Sequence, residues 1–408
     1  MSEIVTASRP SGDAGRAAST APFRLDRVDR AETVDLESPQ LPVRAYFDPA
    51  VHDAEMRHLF ARGPGYVGHE LMIPEAGDYH VLSWKNDGQA LVRERAGTRE
   101  VEHEGEGGDS GAIRLLSNVC RHRQAVMLKG RGNTPNIVCP LHRWTYDLKG
   151  SLIGAPHFPE TPCVRLKDSP LQSWNGMLFA GPRDIAADMR GIEAPELDFS
   201  GYLYDRTEIH ECAYNWKTFI EVYLEDYHVV PFHPGLGALV NCDDLSWQMS
   251  DRWSVQSVSL ANEMTRAGTR SYDRWQSALR KYYAERNEQP PKGAVWLTIY
   301  PNIMVEWYPH VLIVSTLIPR GPQSTTNVVE FYYPEDIALF ERELVEAQQA
   351  AYMETAIEDD EIALRMDAGR RALLEQGRNE TGPYQSPMED GMKHFHQFLR
   401  REMGPLYR

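Results

Sequence analysis

Two short segments of the sequence each pair a cysteine with a histidine. Cys120 and His122 form a C-x-H pattern, and after sixteen intervening residues Cys139 and His142 form C-x-x-H. Two thiolates and two imidazoles are the ligand set of a [2Fe–2S] cluster in which two histidines replace two cysteines on one iron, a replacement that raises the reduction potential. The pattern therefore predicts a protein that carries one electron at a time.

The same four residues could instead hold a structural zinc ion, because two Cys and two His are also a zinc ligand set. Zinc fingers usually place both cysteines before both histidines, whereas each segment here mixes the two residue types. The arrangement favours the [2Fe–2S] cluster on both ligand order and metal preference.

A second group of candidate ligands lies in a segment with large apolar residues at helical spacing, which predicts a helix over 209–229. Glu221, Glu225 and His228 stand at i, i+4 and i+7, so they share one face of that helix. The predicted helix therefore presents two carboxylates and an imidazole together.

His233 follows five residues after His228. In an unbroken helix the two side chains would point about 140° apart, since each residue turns about 100°. Pro231 is expected to break the helix between them, so that both imidazoles can bind one metal. Two His and one carboxylate around an iron with open positions form the Fe(II) site of non-heme oxygenases.

The third iron ligand should lie far along the sequence on a rigid element. Residues 340–377 are rich in Glu, Ala, Leu and Arg and predict a long helix. Asp359 is the best candidate within its acidic run, and Asp360 is the close rival.

Composition limits the partners of this 408-residue chain. The formal charge of −16 disfavours nucleic acid and anionic membranes, and no apolar run is long enough to span a membrane. The remaining three cysteines, Cys163, Cys212 and Cys242, are odd in number and widely spaced. That usage is typical of reduced thiols, so a cytoplasmic location is expected.

The coarse secondary structure predicts an α+β protein. Residues 78–170 alternate short β-like runs with turns, as in an all-β module. Residues 294–300, 302–308, 311–318 and 326–333 are rich in Val, Ile, Thr, Tyr and Trp and predict an antiparallel meander. We expect a disordered tail at 1–36, a cluster domain with a preceding helix at 37–170, and an iron domain at 171–408.

The chain resembles the α subunits of Rieske non-heme iron oxygenases, the ring-hydroxylating oxygenase family, over roughly residues 40–400. The cluster segments resemble the Rieske loops of that family, Asn215-Trp216-Lys217 resembles the motif that opens its iron helix, and residues 225–233 resemble its iron-ligand segment. These segments read CRHR at 120–123, CPLHRWTYD at 139–147, NWK at 215–217 and EDYHVVPFH at 225–233.

The resemblance implies an antiparallel-β Rieske [2Fe–2S] domain and a helix-grip-like catalytic domain with a large antiparallel sheet. It implies one [2Fe–2S] cluster and one Fe²⁺ per subunit, electrons from NAD(P)H through a reductase or ferredoxin, O₂ as co-substrate, and a homotrimer. It also implies that Glu225 bridges His228 to a cluster histidine of the neighbouring subunit. Aligning Gly369 with a glycine of the family's ligand helix selects Asp359 over Asp360.

Two positions depart from the family pattern. Val222 stands where the family commonly has Asn, and Arg143 stands where it usually has Gly after the second cluster histidine. Neither residue is a predicted metal ligand. The two departures therefore concern the fine tuning of the metal centres and the substrate subclass, and not the metal-binding chemistry. Members with Glu at the position of Glu225 often act on small quaternary amines.

The substrate is the least determined feature of the sequence. We expect an aromatic acid or a related ring compound first and a quaternary ammonium compound, held by cation–π contacts, second. Trp247, Trp296, Trp307 and Tyr308 are candidate lining residues, although large aromatic residues mostly belong to the core. The alternative of another class is an electron carrier with a degenerate iron domain.

The cluster loops predict a low reduction potential. Ala125 and Leu141 stand where respiratory Rieske proteins have a disulfide, and Trp144 replaces a serine that hydrogen-bonds a sulfide there. Fewer hydrogen bonds to sulfur stabilise the reduced cluster less, so we expect a midpoint below about 0 mV in a Rieske range of roughly −150 to +300 mV. A potentiometric titration with a midpoint well above about +100 mV would contradict this expectation.

Overall fold

The structure is a computed structural model that describes residues 3–5, 40–95, 111–260, 267–291 and 293–407. The predicted tail at 1–36 lies outside the described residues, apart from the short strand β1 (Glu3–Val5). No helix in the described part of the chain is long and apolar enough to cross a membrane.

The first half of the chain builds three small antiparallel sheets from short strands, as the alternating pattern of 78–170 predicts. Their orders are β10-β5-β4-β3-β6, β7-β8-β9 and β11-β12-β2. The strands are β2 (Tyr66–His69), β3 (Asp78–Val81), β4 (Gln89–Arg93), β5 (Ile113–Ser117), β6 (Arg131–Asn133), β7 (Ile137–Val138), β8 (Thr145–Tyr146), β9 (Leu152–Gly154), β10 (Asp168–Ser169), β11 (Gln172–Trp174) and β12 (Met177–Phe179).

The second half forms one antiparallel sheet of eight strands in the order β1-β14-β15-β16-β17-β18-β19-β13. The predicted meander is confirmed, because β16 to β19 pair consecutively. The strands are β13 (Tyr202–Cys212), β14 (Val240–Met249), β15 (Trp253–Leu260), β16 (Ala294–Ile299), β17 (Ile303–Tyr308), β18 (Val311–Gly321) and β19 (Ser324–Pro334).

Helices cover one face of this sheet, and the long helix predicted over 340–377 is confirmed as α8. The helices are α1 (Pro49–His58), α2 (Ile185–Asp188), α3 (Trp216–Tyr223), α4 (Val229–Phe232), α5 (Leu236–Leu239), α6 (Arg270–Arg286), α7 (Glu335–Phe340), α8 (Arg342–Glu375) and α9 (Asp390–Met403). Short 3₁₀ helices lie at Val43–Tyr46, Phe60–Arg62, Glu70–Met72, Ser83–Lys85, Pro195–Leu197 and Gly404–Tyr407.

The single helix predicted over 209–229 is wrong. Its first residues belong to strand β13, which pairs with β19 through Cys212. Asn215 then caps α3, because its side-chain oxygen accepts a hydrogen bond from the backbone N–H of Lys217 at 2.9 Å. The helical spacing around Trp216 is real, but it spans only α3, which ends at Tyr223.

The large sheet is buried on both faces. One face packs residues such as Met304, Ile313 and Phe331 against helices α6, α8 and α9. The opposite face packs Val305 and Val314 against the segment around α2. Because both faces are covered, its central strands are almost continuously apolar, as expected of such strands. A polar side chain on either face therefore needs an explanation.

A fully buried ion pair joins α3 to the N-terminal helix α1. Lys217 donates to Glu55 at 2.6 Å, and both side chains have no exposure to solvent. Glu55 also accepts hydrogen bonds from Trp216 Nε1 at 2.8 Å and from the Tyr407 hydroxyl. The Glu55 carboxylate thus accepts three hydrogen bonds, and the Lys217 ammonium also lies over the rings of Tyr46, Trp216 and Tyr407. Both buried charges therefore have partners, which is the condition under which a buried ion pair is tolerated. It ties the start of α3 to α1 and to the 3₁₀ helix Gly404–Tyr407.

Replacing Lys217 by Met should therefore leave the Glu55 carboxylate buried without its cation. Removing one partner of a buried pair typically costs about 3–5 kcal/mol, so urea unfolding of Lys217→Met should show a loss of this size. The matched control is Arg365→Ala, which removes an exposed i,i+4 pair with Glu361 and should cost less than about 0.5 kcal/mol. Equal losses in the two variants would contradict the assignment.

Candidate functional site

The two Cys/His loops have the same backbone geometry. In the first loop, the Cys120 N–H donates to the Ala125 carbonyl at 2.9 Å, and the Cys139 N–H donates equivalently to the Trp144 carbonyl at 2.8 Å. Gln124 and Arg143, each four residues after its cysteine, both adopt a left-handed conformation with φ of 55° and 61°. This conformation explains why glycine is favoured at the position of Arg143, since glycine adopts it without strain.

The four predicted cluster ligands divide into a buried and an outer pair. Cys120 and Cys139 are 2% and 1% exposed, whereas His142 is exposed and His122 is half-buried. The ring centroids of the two histidines lie 4.7 Å apart. Thiolates therefore face the interior and imidazoles face the surface, which is the division expected when one iron has sulfur ligands and the other has nitrogen ligands.

The spacing of the four side chains favours a two-iron centre over zinc. One tetrahedral zinc would require all four ligand atoms within about 4 Å of one another, given metal–ligand bonds of roughly 2.0–2.3 Å. No three of these side chains, all within the described residues, bring their ligand atoms within 4.8 Å of one another. A binuclear cluster separates its sulfur and nitrogen ligands and fits this spacing.

The surroundings of the loops also suit a bound cluster. The Nδ1 atom of His122 is buried and has no hydrogen-bond partner among the described residues, as expected of an atom reserved for a metal. Trp144 stacks on the His122 ring with centroids 4.8 Å apart and an interplanar angle of 9°. Burial alone raises the pKa of Cys120, but hydrogen bonds from the Tyr146 hydroxyl and backbone N–H groups outweigh it, so the pKa is lowered toward the thiolate form.

A second group brings His228, His233 and Asp359 together. The Nε2 atoms of the two histidines lie 3.0 Å apart. Oδ1 of Asp359 lies 3.0 Å from Nε2 of His233 and 3.5 Å from Nε2 of His228. Three ligands at right angles around a metal with bonds of about 2.1 Å would be about 3.0 Å apart. The geometry is that of a facial triad that leaves the opposite side of the metal open.

Both histidines are oriented by a carboxylate behind them. Nδ1 of His228 donates to Glu225 at 2.5 Å, and Nδ1 of His233 donates to Glu358 at 2.7 Å. These bonds leave each Nε2 free to face a metal, the usual role of such partners. Burial lowers the pKa of His228, but the hydrogen bonds with Asp359 and Glu225 prevail and raise it to about 10.

Three successive acids of α8 make different sets of contacts, because each helical residue turns about 100° from the last. Glu358 contacts His233, and Asp359 contacts both histidines. Asp360 instead accepts from His210 at 2.8 Å and from the Tyr214 hydroxyl at 2.6 Å. The structure thus places Asp359, and not its rival, at the triad.

Two expectations about this segment are wrong. Glu221 does not share a face with Glu225 and His228; it accepts from His396 and Arg370 in a separate buried network. Pro231 does not break a helix between the two histidines, because it lies inside α4, with His228 at the N-cap and His233 at the C-cap. His233 itself has an extended backbone with φ of −105° and ψ of 93°, so its side chain departs from the helical direction and its Nε2 approaches that of His228.

A cavity of about 100 Å³ adjoins the triad. It can hold a small molecule of several heavy atoms, since one water occupies roughly 10–15 Å³ on this measure. Its carboxylates are Glu225, Asp226, Glu306, Asp359 and Asp360, and the aromatic residues of its wall include Tyr223, Trp275, Trp296 and Tyr308. No Lys or Arg is among the described residues that line it.

Two of the four aromatic residues predicted to line the cavity do so. Trp296 and Tyr308 line it as proposed, whereas Trp247 and Trp307 pack elsewhere in the core. Glu306 and Glu358 were missed. A Glu between apolar residues of a strand was the available signal for Glu306, and the acidic run around Asp359 was the signal for Glu358.

Comparisons with known proteins agree with this geometry. Residues 66–167 match the Rieske [2Fe-2S] domain family, and residues 190–404 match the ring hydroxylating alpha subunit (catalytic domain) family. These matches cover the two loops in one family and the facial triad in the other.

Individual relatives cover nearly the whole chain. A putrescine 2-hydroxylase of Ralstonia nicotianae is 61% identical, covering 89% of this chain and 95% of the relative. A putrescine 2-hydroxylase of Bordetella bronchiseptica is 54% identical, covering 90% and 85%. A solved quaternary ammonium Rieske monooxygenase shares the fold, with a TM-score of 0.68 and 19% identity over 89% of this chain and 95% of its own.

The matched variants Asp359→Ala and Asp360→Ala test the ligand assignment. Only Asp359 contacts both imidazoles, so Asp359→Ala should lower the iron content from about three to about two atoms per chain. Asp360→Ala makes the same change one residue along the helix and should retain about three atoms. Metal analysis with the reverse pattern would show that the rival residue is the ligand.

Proposed function

The chain belongs to the Rieske non-heme iron oxygenase family as a ring-hydroxylating-type α subunit, an oxidoreductase with a [2Fe–2S] cluster and a mononuclear iron that acts on a small organic substrate. From this premise we propose that it is a terminal monooxygenase that hydroxylates a small aliphatic diamine of the putrescine class at carbon 2. The observation that carries the proposal is the cavity beside the triad, whose wall combines carboxylates and aromatic rings and has no Lys or Arg among its described residues.

This lining favours a cation over an anion. Carboxylates attract an ammonium group, and aromatic faces stabilise it through cation–π contacts. An aromatic acid, the substrate class first expected, would need a cationic partner that the described lining does not offer. The 61% and 54% identity to putrescine 2-hydroxylases supports the amine class and narrows it to a diamine.

We assign the chemical roles as follows. Cys120, His122, Cys139 and His142 would hold the cluster. His228, His233 and Asp359 would hold the iron on one side and leave the side toward the cavity open. When bound, the cluster supplies single electrons and the iron activates O₂.

The net reaction inserts one oxygen atom into a C–H bond. Substrate C–H, O₂, two electrons and two protons give C–OH and water. The protein keeps the imidazoles in the required tautomer through Glu225 and Glu358, and the apolar wall limits water around the substrate.

The electron path is proposed to cross between subunits through Glu225. Both of its oxygens accept from His228, from Nδ1 at 2.5 Å and from the backbone N–H at 3.0 Å. Each carboxylate oxygen has a second lone pair, which could accept from a cluster histidine of a neighbour.

Exposed apolar residues near both centres support a contact between subunits, which the family resemblance extends to a proposed homotrimer. Leu141 and Phe158 beside the cluster are 57% and 44% exposed. Tyr227 and Val230 beside the iron ligands are 61% and 64% exposed. Large exposed apolar residues beside functional groups commonly mark an interface. A reductase or ferredoxin that draws on NAD(P)H is the proposed electron donor.

The reaction can be tested by product identification. Purified protein, a donor reductase with NAD(P)H, putrescine and ¹⁸O₂ should yield a hydroxylated diamine that carries one ¹⁸O atom, because one oxygen atom enters the substrate. Mass spectrometry would measure the label, with choline and benzoate as comparison substrates. Labelled product from benzoate but not from putrescine would contradict the proposal.

The variant Glu225→Gln tests the inter-subunit path. An amide has no negative charge to stabilise an imidazole N–H on each side, so the variant should retain both metals yet lose most turnover, by about 10- to 100-fold. Glu361→Gln makes the same change at an exposed position of α8 and should turn over normally. Normal turnover of Glu225→Gln under steady-state assay would refute the bridge.

A further inference from the structure

Glu306 is a polar exception on an apolar strand. Side chains alternate along β17, so Met304, Glu306 and Tyr308 face the same side of the sheet. Met304 and Tyr308 belong to the hydrophobic core on that side. Glu306 is only 5% exposed, yet it lines the cavity that adjoins the triad.

The Glu306 carboxylate has no positive partner in the described part of the chain, where no Lys, Arg or His nitrogen lies within 4.0 Å of it. Tyr308, two residues along the same strand, shares its face of the sheet, and the Tyr308 hydroxyl accepts from Trp296 Nε1 at 2.9 Å. Burial, with a smaller contribution from the charge of Asp359, raises the pKa of Glu306 to about 8. A buried acid in this state is costly, and apolar residues usually fill such structural positions.

Glu330 provides a contrast within the same sheet. It lies on β19, is 1% exposed, and accepts from Tyr66 at 2.6 Å and Tyr332 at 2.8 Å. Two hydroxyl donors satisfy its carboxylate inside the protein, and it does not line the cavity. Hydrogen bonds within the protein thus satisfy Glu330. The Glu306 carboxylate, in contrast, lines the cavity and can still accept hydrogen bonds from a ligand.

Other polar atoms of the same wall also lack partners. The Tyr223 hydroxyl, Trp275 Nε1 and Asn327 Oδ1 are buried without a hydrogen-bond partner among the described residues, and all three residues line the cavity. Asn327 is 4% exposed, so its side-chain oxygen, a hydrogen-bond acceptor, is buried from solvent. Buried polar atoms are rarely left unpaired. The oxygens of Tyr223 and Asn327 can accept hydrogen bonds from a ligand donor such as an ammonium group, whereas Trp275 Nε1 can only donate.

We propose that Glu306 is the specificity-determining residue of this enzyme and binds one primary ammonium group of the substrate as an ion pair within the aromatic wall. This inference rests on the proposed function and names the group that selects its substrate class. A primary ammonium donates three hydrogen bonds, whereas a quaternary ammonium donates none, so a carboxylate with open lone pairs favours the primary amine. Trp296 is the cross-strand partner of Glu306, and its ring centroid lies 5.8 Å from that of Tyr308.

The test compares Glu306→Gln with Glu330→Gln, which makes the same change at a buried strand position outside the cavity. Putrescine binding to each holoenzyme would be measured by calorimetry under anaerobic conditions, and hydroxylated product by mass spectrometry. Hydrogen bonds to charged groups are the strong class, so Glu306→Gln should weaken putrescine binding by about 10- to 100-fold. Glu330→Gln should remain within about 2-fold of the wild type, and Glu306→Asp should recover part of the loss.

Iron analysis and the visible spectrum of the cluster would verify that each variant retains both centres. Unchanged putrescine binding in Glu306→Gln, or a wild type that does not bind putrescine, would overturn the inference. A wild type that forms hydroxylated diamine while Glu306→Gln binds normally would preserve the proposed function and refute the role of Glu306. Binding lost in Glu306→Gln without product in the wild type would support the anchor and refute the hydroxylase.

Discussion

The register between helix α8 and the segment of α3 and α4 is the constraint on which the active geometry depends. A slip of one residue along a helix moves a side chain by about 1.5 Å and 100°, which would replace Asp359 at the triad by one of its acidic neighbours. Buried polar contacts hold this register. Asp367 of α8 accepts from the Asn215 N–H at 3.0 Å and from the Thr218 hydroxyl at 2.7 Å, and Arg370 pairs with Glu221.

These contacts explain why several acidic side chains can lie buried in this protein. Glu221 is fully buried, which alone would raise its pKa, yet the Arg370 guanidinium together with hydrogen bonds from His396 and Tyr46 outweighs burial and lowers the pKa to about 2. Glu225 and Glu358 are engaged by imidazole N–H groups. Each of these carboxylates is compensated within the protein, so the uncompensated carboxylate of Glu306 stands out as a group that a substrate would complete.

Much of the fold was predictable because its signals are local. The meander of β16 to β19 and the length of α8 follow from residue type and periodicity within each segment. The helix predicted over 209–229 failed because helical spacing around Trp216 was extended into residues whose conformation depends on pairing with β19. Propensity is a weak prior where a distant strand supplies the hydrogen bonds.

The sequence by itself determined the chemical classes of the two centres, because two loops of Cys and His and a pair of histidines five residues apart are encoded within short segments. Residue type and spacing alone did not separate Asp359 from Asp360, and only the family resemblance favoured Asp359. Neighbouring residues on a helix point in different directions, and the element packed against the helix determines which of them faces the histidines. The sequence also could not show that Glu306 lines a cavity, because the strand pattern reveals only a polar residue among apolar ones. Tertiary structure brought Asp359 to the two histidines and Glu306 to the cavity, since α8, α4 and β17 meet only when the chain packs around one core.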